Sequence, residues 1–158
     1  TVVVGLFRNN RLITGHIGDS RVYRFRADKL EQITKDHSFV QELIDQGIYT
    51  KDEARASKRK NIVTRALGVA PKVEVEVNEH QVNVGDIYLM CSDGLTDLVV
   101  DSNIESSLRE LSSNLGAAAG HLVNLANASG GKDNISVVLC RVRQSFPDED
   151  GRVSKVLS

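Results

Sequence analysis

Two cysteines are all the chain has in 158 residues. Cys91 and Cys140 each lie inside an apolar run, without Cys-x-x-Cys spacing. A disulfide framework or a zinc ribbon needs more thiols or closer ones, so two buried, unpaired thiols in a reducing, cytoplasmic setting are expected. Charge of neither sign prevails: twenty basic and twenty-one acidic side chains leave a formal net charge of −1, and aromatic residues make up only 4%. That balance offers neither the basic surface nor the stacking platforms of a nucleic-acid binder. No apolar stretch approaches the roughly 20 residues a membrane helix needs, so no membrane segment is expected. The opening Thr1-Val-Val-Val-Gly-Leu-Phe7 has neither the basic start nor the cleavage site of a signal peptide, nor an initiating methionine. A chain that begins on a strand-like run reads as part of something longer. Internal repeats and low-complexity segments are absent.

Several catalytic signatures are missing too. Ser92 is followed by Asp-Gly and has no glycine two residues before it, which excludes the Gly-x-Ser-x-Gly elbow of serine hydrolases. Gly130-Gly-Lys-Asp133 leads into a strand, whereas a P-loop follows a strand and opens a helix. The histidines at 16, 37, 80 and 121 show no His-x-x-x-His spacing and no neighbouring cysteine pair, which argues against zinc. His16 is expected to be a buried, hydrogen-bonded imidazole bracing the Gly18-Asp19 turn. His37, which follows Asp36 at the opening of the flap, is a candidate proton carrier near the site. The basic run Lys58-Arg-Lys60 reads as a solvated charge cluster.

What the chain does contain fits one globular domain, with 41% hydrophobic and 26% charged residues. Val2–Phe7, Leu12–Ile17, Val22–Phe25 and Leu30–Ile33 are short apolar runs joined by at most four polar residues, which predicts an antiparallel meander. Helical spacing of Phe39, Val40, Leu43 and Ile44, with Asp36 or Ser38 as cap and Gly47 as stop, predicts a helix. Thr50-Lys-Asp-Glu53 is a capping box and predicts a second helix over 51–58. These helices form a flap between two sheet strands. Strand character returns at Ile62–Leu67, at the alternating Val73, Val75 and Val77, and at 86–91. Caps at Asp101-Ser-Asn103 and at Asn114 predict two helices, and the last strand runs over 135–142. The segment 144–158 is polar, includes Pro147 and Gly151, has little beyond Val153, Val156 and Leu157 to bury, and is expected to be loosely held.

Three Gly-adjacent aspartates stand beside predicted strands: Asp19 in Gly18-Asp19-Ser20-Arg21, Asp93 in Ser92-Asp93-Gly94, and Asp133 in Gly131-Lys-Asp133-Asn134. A hard divalent cation such as Mg2+ or Mn2+ takes oxygen ligands from carboxylates held by a rigid frame, and a strand end beside a glycine is such a frame. The alternative for each is an acid serving its own turn.

Taken together, Gly15-His-Ile-Gly-Asp-Ser-Arg21, Thr34-Lys-Asp-His-Ser38, Thr64-Arg-Ala-Leu-Gly68, Cys91-Ser-Asp-Gly-Leu-Thr-Asp97 and Gly131-Lys-Asp-Asn-Ile-Ser-Val137 resemble the PP2C-type (PPM) metal-dependent serine/threonine protein phosphatases, in their bacterial form. The resemblance spans Val2 to about Arg143. It implies an α+β fold, a four-layer α-β-β-α sandwich of two antiparallel sheets, incomplete at the N-terminus, with 1–143 as the C-terminal portion of the catalytic domain. It assigns Asp93 and Asp133 to one metal centre as the catalytic pair, and Asp19 to an additional metal ion near the flap. Asn134 supports Asp133, Gly94 the Asp93 turn, and His16 and Ser20 the Asp19 turn. The complete domain is expected to hold two or three Mn2+ or Mg2+ ions. The family's Arg…Asn-Glu-Asp segment and Asp-Gly-x-Gly-Gly turn do not occur in the sequence, so a bare apolar sheet face is expected, with self-association through it.

The implied reaction is hydrolysis of phosphoserine and phosphothreonine by direct attack of water, without a phosphoenzyme. Substrates would be phosphorylated proteins in the pathway of a Ser/Thr kinase, or the kinase itself. These residues alone are expected to be inactive or nearly so. The competing readings are a catalytically inactive signalling or scaffold module of the same fold, and a regulator in a sigma-factor pathway.

Overall fold

Two turns of one kind start the two sheets. Asn9-Asn10 and Ala27-Asp28 all have positive φ, from 48 to 59°, the backbone of a two-residue hairpin whose twist matches that of its strands. The first turn joins β1 (Val2–Arg8) to β2 (Arg11–Ile17), and the second joins β3 (Arg21–Arg26) to β4 (Lys29–Gln32). A computed structural model describes residues 1–146. The remaining elements are α1 (Phe39–Asp45), α2 (Lys51–Ala56), β5 (Glu76–Gln81), β6 (Ile87–Cys91), α3 (Asp93–Thr96), α4 (Asp101–Leu111), α5 (Leu115–Ala128) and β7 (Val137–Arg141).

The four opening strands do not form one meander. β2 pairs with β1 and β5, and β3 pairs with β4 and β6, giving antiparallel sheets ordered β1-β2-β5 and β4-β3-β6-β7. The chain changes sheets at Gly18-Asp19-Ser20, where Gly18 has φ +103°. β3 explains the split, because it is apolar on both faces. Val22 packs between the sheets with Leu12, Val82, Tyr88 and Val142, while Tyr23 and Phe25 face the opposite way, onto the helices. A strand dry on both sides belongs between two layers.

α4 and α5 form the layer beyond the second sheet. Ile104 and Leu108 from α4, and Ala118, Leu122 and Ala126 from α5, pack on Tyr23, Phe25, Leu89 and Cys91. Each fully buried leucine there contributes about 1.5–3 kcal/mol. The outer face of the first sheet carries Val4, Leu6 and Val77 at 57, 56 and 63% exposure, the bare apolar face expected from the sequence. Among the described residues no helix is long and apolar enough to cross a membrane.

The capping box at Thr50 and Glu53 forms, Ser38 caps α1, and Asn114 caps α5. Other expectations shift. Ile62–Leu67 is not a strand: it makes only the bridge Ser38↔Val63, and Ile62 and Leu67 stay exposed. Val73 and Val75 lie outside β5, because pairing to β2 starts at His16↔Glu76 and β2 ends one residue further on. α2 stops at Ala56, and Val100, not a side chain of Asp101–Asn103, occupies the cap of α4. Cys91 is buried as expected, but Cys140 is only partly so; both are free thiols. Phe146 stacks on Phe7 with ring centroids 6.1 Å apart, and its N–H donates to Asn10 Oδ1 at 2.7 Å. The segment expected to be loose is therefore anchored at this residue; its part from 147 onward lies outside the described residues.

Candidate functional site

β6, buried almost throughout, delivers the chain to Ser92, which is extended (φ −77°, ψ 165°) and precedes α3. Asp93 therefore opens a one-turn helix, not a strand end. Asp133 likewise sits in the loop between α5 and β7, four residues ahead of the strand. Ser92 ties the two places together. Its hydroxyl donates to Asn134 O at 2.9 Å and accepts from Ser136 N at 3.0 Å, while its own N–H donates to Ser136 O at 3.1 Å. Gly94 allows this closeness: a Cβ there would overlap the Asn134 carbonyl. Close approach, not an unusual φ, is what requires glycine at 94. On the other side, the Asn134 main-chain N–H donates to Asp133 Oδ1 at 2.6 Å.

The carboxylates feel one another's charge. Burial first, then the Asp133 charge and more weakly Asp97, push the Asp93 carboxyl above its ordinary range, against the pull of the Gly94 amide. Burial, then Asp93 and Asp36, raise Asp19 in the same way. Asp93 thus lies in the field of both other sequence-predicted acids. Half-buried Asp19 and Asp93 line a cavity of about 130 Å³ together with Asp36, Asp97 and Asp101, whereas Asp133 is exposed and does not line it. Oxygen donors, of which Asp19 and Asp93 are pushed up by burial first and by neighbouring negative charge second, suit a hard divalent cation, which would relieve the repulsion.

Arg21 crosses the cavity wall to Asp36, donating from Nε at 2.9 Å and from Nη2 at 2.6 Å, while Nη1 donates to Tyr23 Oη at 2.9 Å. The Tyr23 hydroxyl donates on to Asp101 Oδ1 at 3.1 Å, so one chain of bonds fixes the flap's base to the start of α4. The flap closes the opposite wall. Arg55 donates to Thr96 O and Val99 O, at 3.1 and 3.2 Å, and Lys60 Nζ lies 3.1 Å from Asp97 Oδ1. Lys60, expected as part of a solvated charge run, is therefore an ion-pair partner at the site. Ser20 does not line the cavity; its hydroxyl hydrogen-bonds that of Thr1 at 2.9 Å.

His16 and His37 lie behind the Gly18-Asp19 turn. His16 is 1% exposed and its Nε2 donates to Lys35 O at 2.8 Å, the buried imidazole expected. His37, 7% exposed, accepts from Gly18 N at 3.1 Å through Nδ1 and lies 3.1 Å from Glu76 Oε2 through Nε2. It braces the turn from behind and does not line the cavity. Among the described residues, His16, His37 and Glu76 are the one group of three whose ligand atoms fall within 4.8 Å of one another. Histidine spacing in the sequence gave no sign of it, because its members come from β2, the loop before α1, and β5. Asp36 and Asp97 sit inside the Thr34–Ser38 and Cys91–Asp97 motifs without a site role being legible there; Asp101 reads only as a helix cap, and Arg55 carries no local signal.

Known proteins are similar to this chain in sequence and in fold. The family profile described as Protein phosphatase 2C matches residues 1–135. The chain is 42% identical over 142 residues to the serine/threonine protein phosphatase PstP of Mycobacterium tuberculosis, covering 90% of this chain and 27% of that one. It is 39% identical over 139 residues to the serine/threonine phosphatase stp of Listeria monocytogenes, covering 88% and 55%. The crystal structure of the M. tuberculosis phosphatase PstP/Ppp superposes with a TM-score of 0.85 at 40% identity, over 90% of this chain and 59% of that one. The PstP catalytic domain in complex with two manganese ions superposes at 0.80 and 41%, over 90% and 58%. The chain spans about half the length of the Listeria relative and about a quarter of PstP. With the family profile matching residues 1–135 and relatives 39–42% identical over most of its length, the chain belongs to the protein phosphatase 2C family.

Proposed function

We propose that the protein carrying this chain removes phosphate from phosphoserine and phosphothreonine in proteins, using Mn2+ or Mg2+ held by Asp93 and Asp133, with Asp19 serving an additional ion. The observation that carries the proposal is the Ser92 hydroxyl bridge to Asn134 and Ser136, which ties the loop of Asp133 to the turn of Asp93. Two carboxylates pinned together without a cation between them repel. When bound, such cations supply Lewis acidity toward phosphoryl oxygens and make water acidic enough to be a nucleophile near neutral pH. The chain's own residues position and enclose. Ser92 and Gly94 fix the spacing of the two acids, the Asn134 N–H orients Asp133, His37 holds the turn that carries Asp19 through the Gly18 amide with His16 and Ser20 beside it, and the flap walls the cavity. The PstP catalytic domain is described with two manganese ions, which supports two for the complete domain here; the additional ion at Asp19 is part of the proposal.

Relatives named as serine/threonine phosphatases support phosphorylated proteins in kinase signalling as the substrates. Two free thiols support a reducing, cytoplasmic setting. Exposed Val4, Leu6 and Val77 support self-association through the first sheet when nothing else covers it. Turnover of p-nitrophenyl phosphate and of a phosphothreonyl peptide, measured with Mn2+ and with chelator, tests the activity. Metal-dependent release of phosphate from both is expected, and undiminished turnover in chelator contradicts the proposal.

A further inference from the structure

Behind the Asp19 turn lies a second donor set, of different chemistry from the acid cluster. His16 and Glu76 are directly paired across β2 and β5, so their side chains share one sheet face. The His37 ring stacks on that of His16, centroids 4.5 Å apart and 18° from parallel, so one ring turns out of the stack before both direct an in-plane nitrogen at one ion. The His16 Nε2–H is committed to the Lys35 carbonyl, which leaves Nδ1 as the lone-pair nitrogen. That Nδ1 is buried and has no hydrogen-bond partner. A ring whose far N–H is fixed by a backbone carbonyl, and whose near nitrogen presents a free lone pair, is the arrangement metal-bound histidines adopt. Glu76 is oriented as well, its Oε1 accepting from Asn78 Nδ2 at 2.8 Å.

We propose that His16, His37 and Glu76 form a second metal site, for a borderline cation of the Zn2+ class, whose occupation resets the Gly18-Asp19 turn. Two imidazoles and one carboxylate suit Zn2+ or Co2+, whereas Mg2+ and Mn2+ favour the all-oxygen cluster in the cavity. The ligand atoms, within 4.8 Å of one another, draw in toward the edge of a tetrahedral shell, about 3.4 Å for bonds of the usual zinc length. His37 supplies the coupling. Its Nδ1 now accepts from Gly18 N, so its proton is on Nε2, facing Glu76. To ligate through Nε2 the ring moves that proton to Nδ1, through solvent and with no net release. Two N–H groups then face each other, and the Gly18 amide withdraws. Asp19 is the next residue, so loading this site moves the acid assigned to the additional hard ion.

The test is Co2+ and Zn2+ binding to the full protein in excess Mg2+, which occupies the acid cluster. One equivalent of Co2+ is expected, with the visible absorption of a nitrogen-ligated low-coordinate site, displaced by Zn2+. Glu76→Gln, half-buried and isosteric, is expected to weaken it at least tenfold, and His16→Gln likewise. Asp93→Asn, which leaves the three ligands intact, is expected to keep it, and the Gly18 amide resonance is expected to shift when Zn2+ is added. Absence of the Co2+ spectrum in the wild-type protein, or its loss in Asp93→Asn with retention in Glu76→Gln, overturns the proposal whether or not the phosphatase assignment stands.

Discussion

The Ser92 hydroxyl bridges two loops that are forty-two residues apart, donating to the Asn134 carbonyl at 2.9 Å and accepting from the Ser136 amide. Asp93 follows one end of the bridge and Asp133 precedes the other, so one small side chain sets the distance between the two proposed metal ligands. Ser92→Ala removes both bonds. A loss of about 1 kcal/mol in stability is expected, with metal affinity weakened about tenfold, as for other supporting partners of metal ligands. Urea denaturation and Mn2+ titration calorimetry measure the two effects.

Gly94→Ala tests the same bridge by crowding it. The added methyl meets the Asn134 carbonyl, which is backbone and tied to Ser92, so the loops must part. The expected cost is about 1–3 kcal/mol, with a larger drop in Mn2+ affinity than in Ser92→Ala. Equal stability and affinity in the variant would show that the loops separate freely.

Much of this was legible in the sequence, and for local reasons. Hairpin turns, the Thr50–Glu53 box and the Asn114 cap depend on residues within four positions of one another, and all form. What failed to show was tertiary. The turn at Gly18–Ser20 reads like a hairpin, yet β3 is apolar on both faces and joins another sheet. Val73 and Val75 alternate like a strand but lie beyond the last β2–β5 pair, His16↔Glu76. Asp93, Asp133 and Asp19 stood out because glycines flank them. Glu76, Asp101 and Arg55 did not, since their partners lie on other elements.

The acid side of the stability curve has an identifiable source. Asp86 is 2% exposed. Burial pushes its carboxyl up, but the Arg26 guanidinium, at 2.7 Å on each oxygen, with the Asn83 amide and the Tyr88 hydroxyl, outweighs burial and holds it below 3.8. A carboxyl depressed in the folded state contributes stability above its unfolded value, and that contribution disappears as pH falls through the folded one. Stability is therefore expected to drop below about pH 4, and the drop is expected to be shallower in Asp86→Asn, as thermal melts across pH 2–6 would record.

Arg55 holds the flap to the carbonyl end of α3, through Thr96 O and Val99 O. Arg55→Ala removes charge-assisted bonds of about 1.5–3 kcal/mol. Faster proteolysis within 57–75 is expected, with KM for a phosphopeptide raised and Mn2+ affinity unchanged. A protease pattern identical to wild type would mean that the flap is held by its other contacts.

Mn2+ binding to Asp93→Asn and Asp133→Asn, measured by calorimetry beside phosphopeptide turnover, bears most directly on the central assignment. Both substitutions keep size and hydrogen bonding and remove one charge. Each is expected to lower Mn2+ affinity by more than about 100-fold, beyond the effect of losing a supporting partner, and to abolish turnover while the melting temperature stays level or rises. Unchanged Mn2+ affinity in either variant would contradict the shared metal centre.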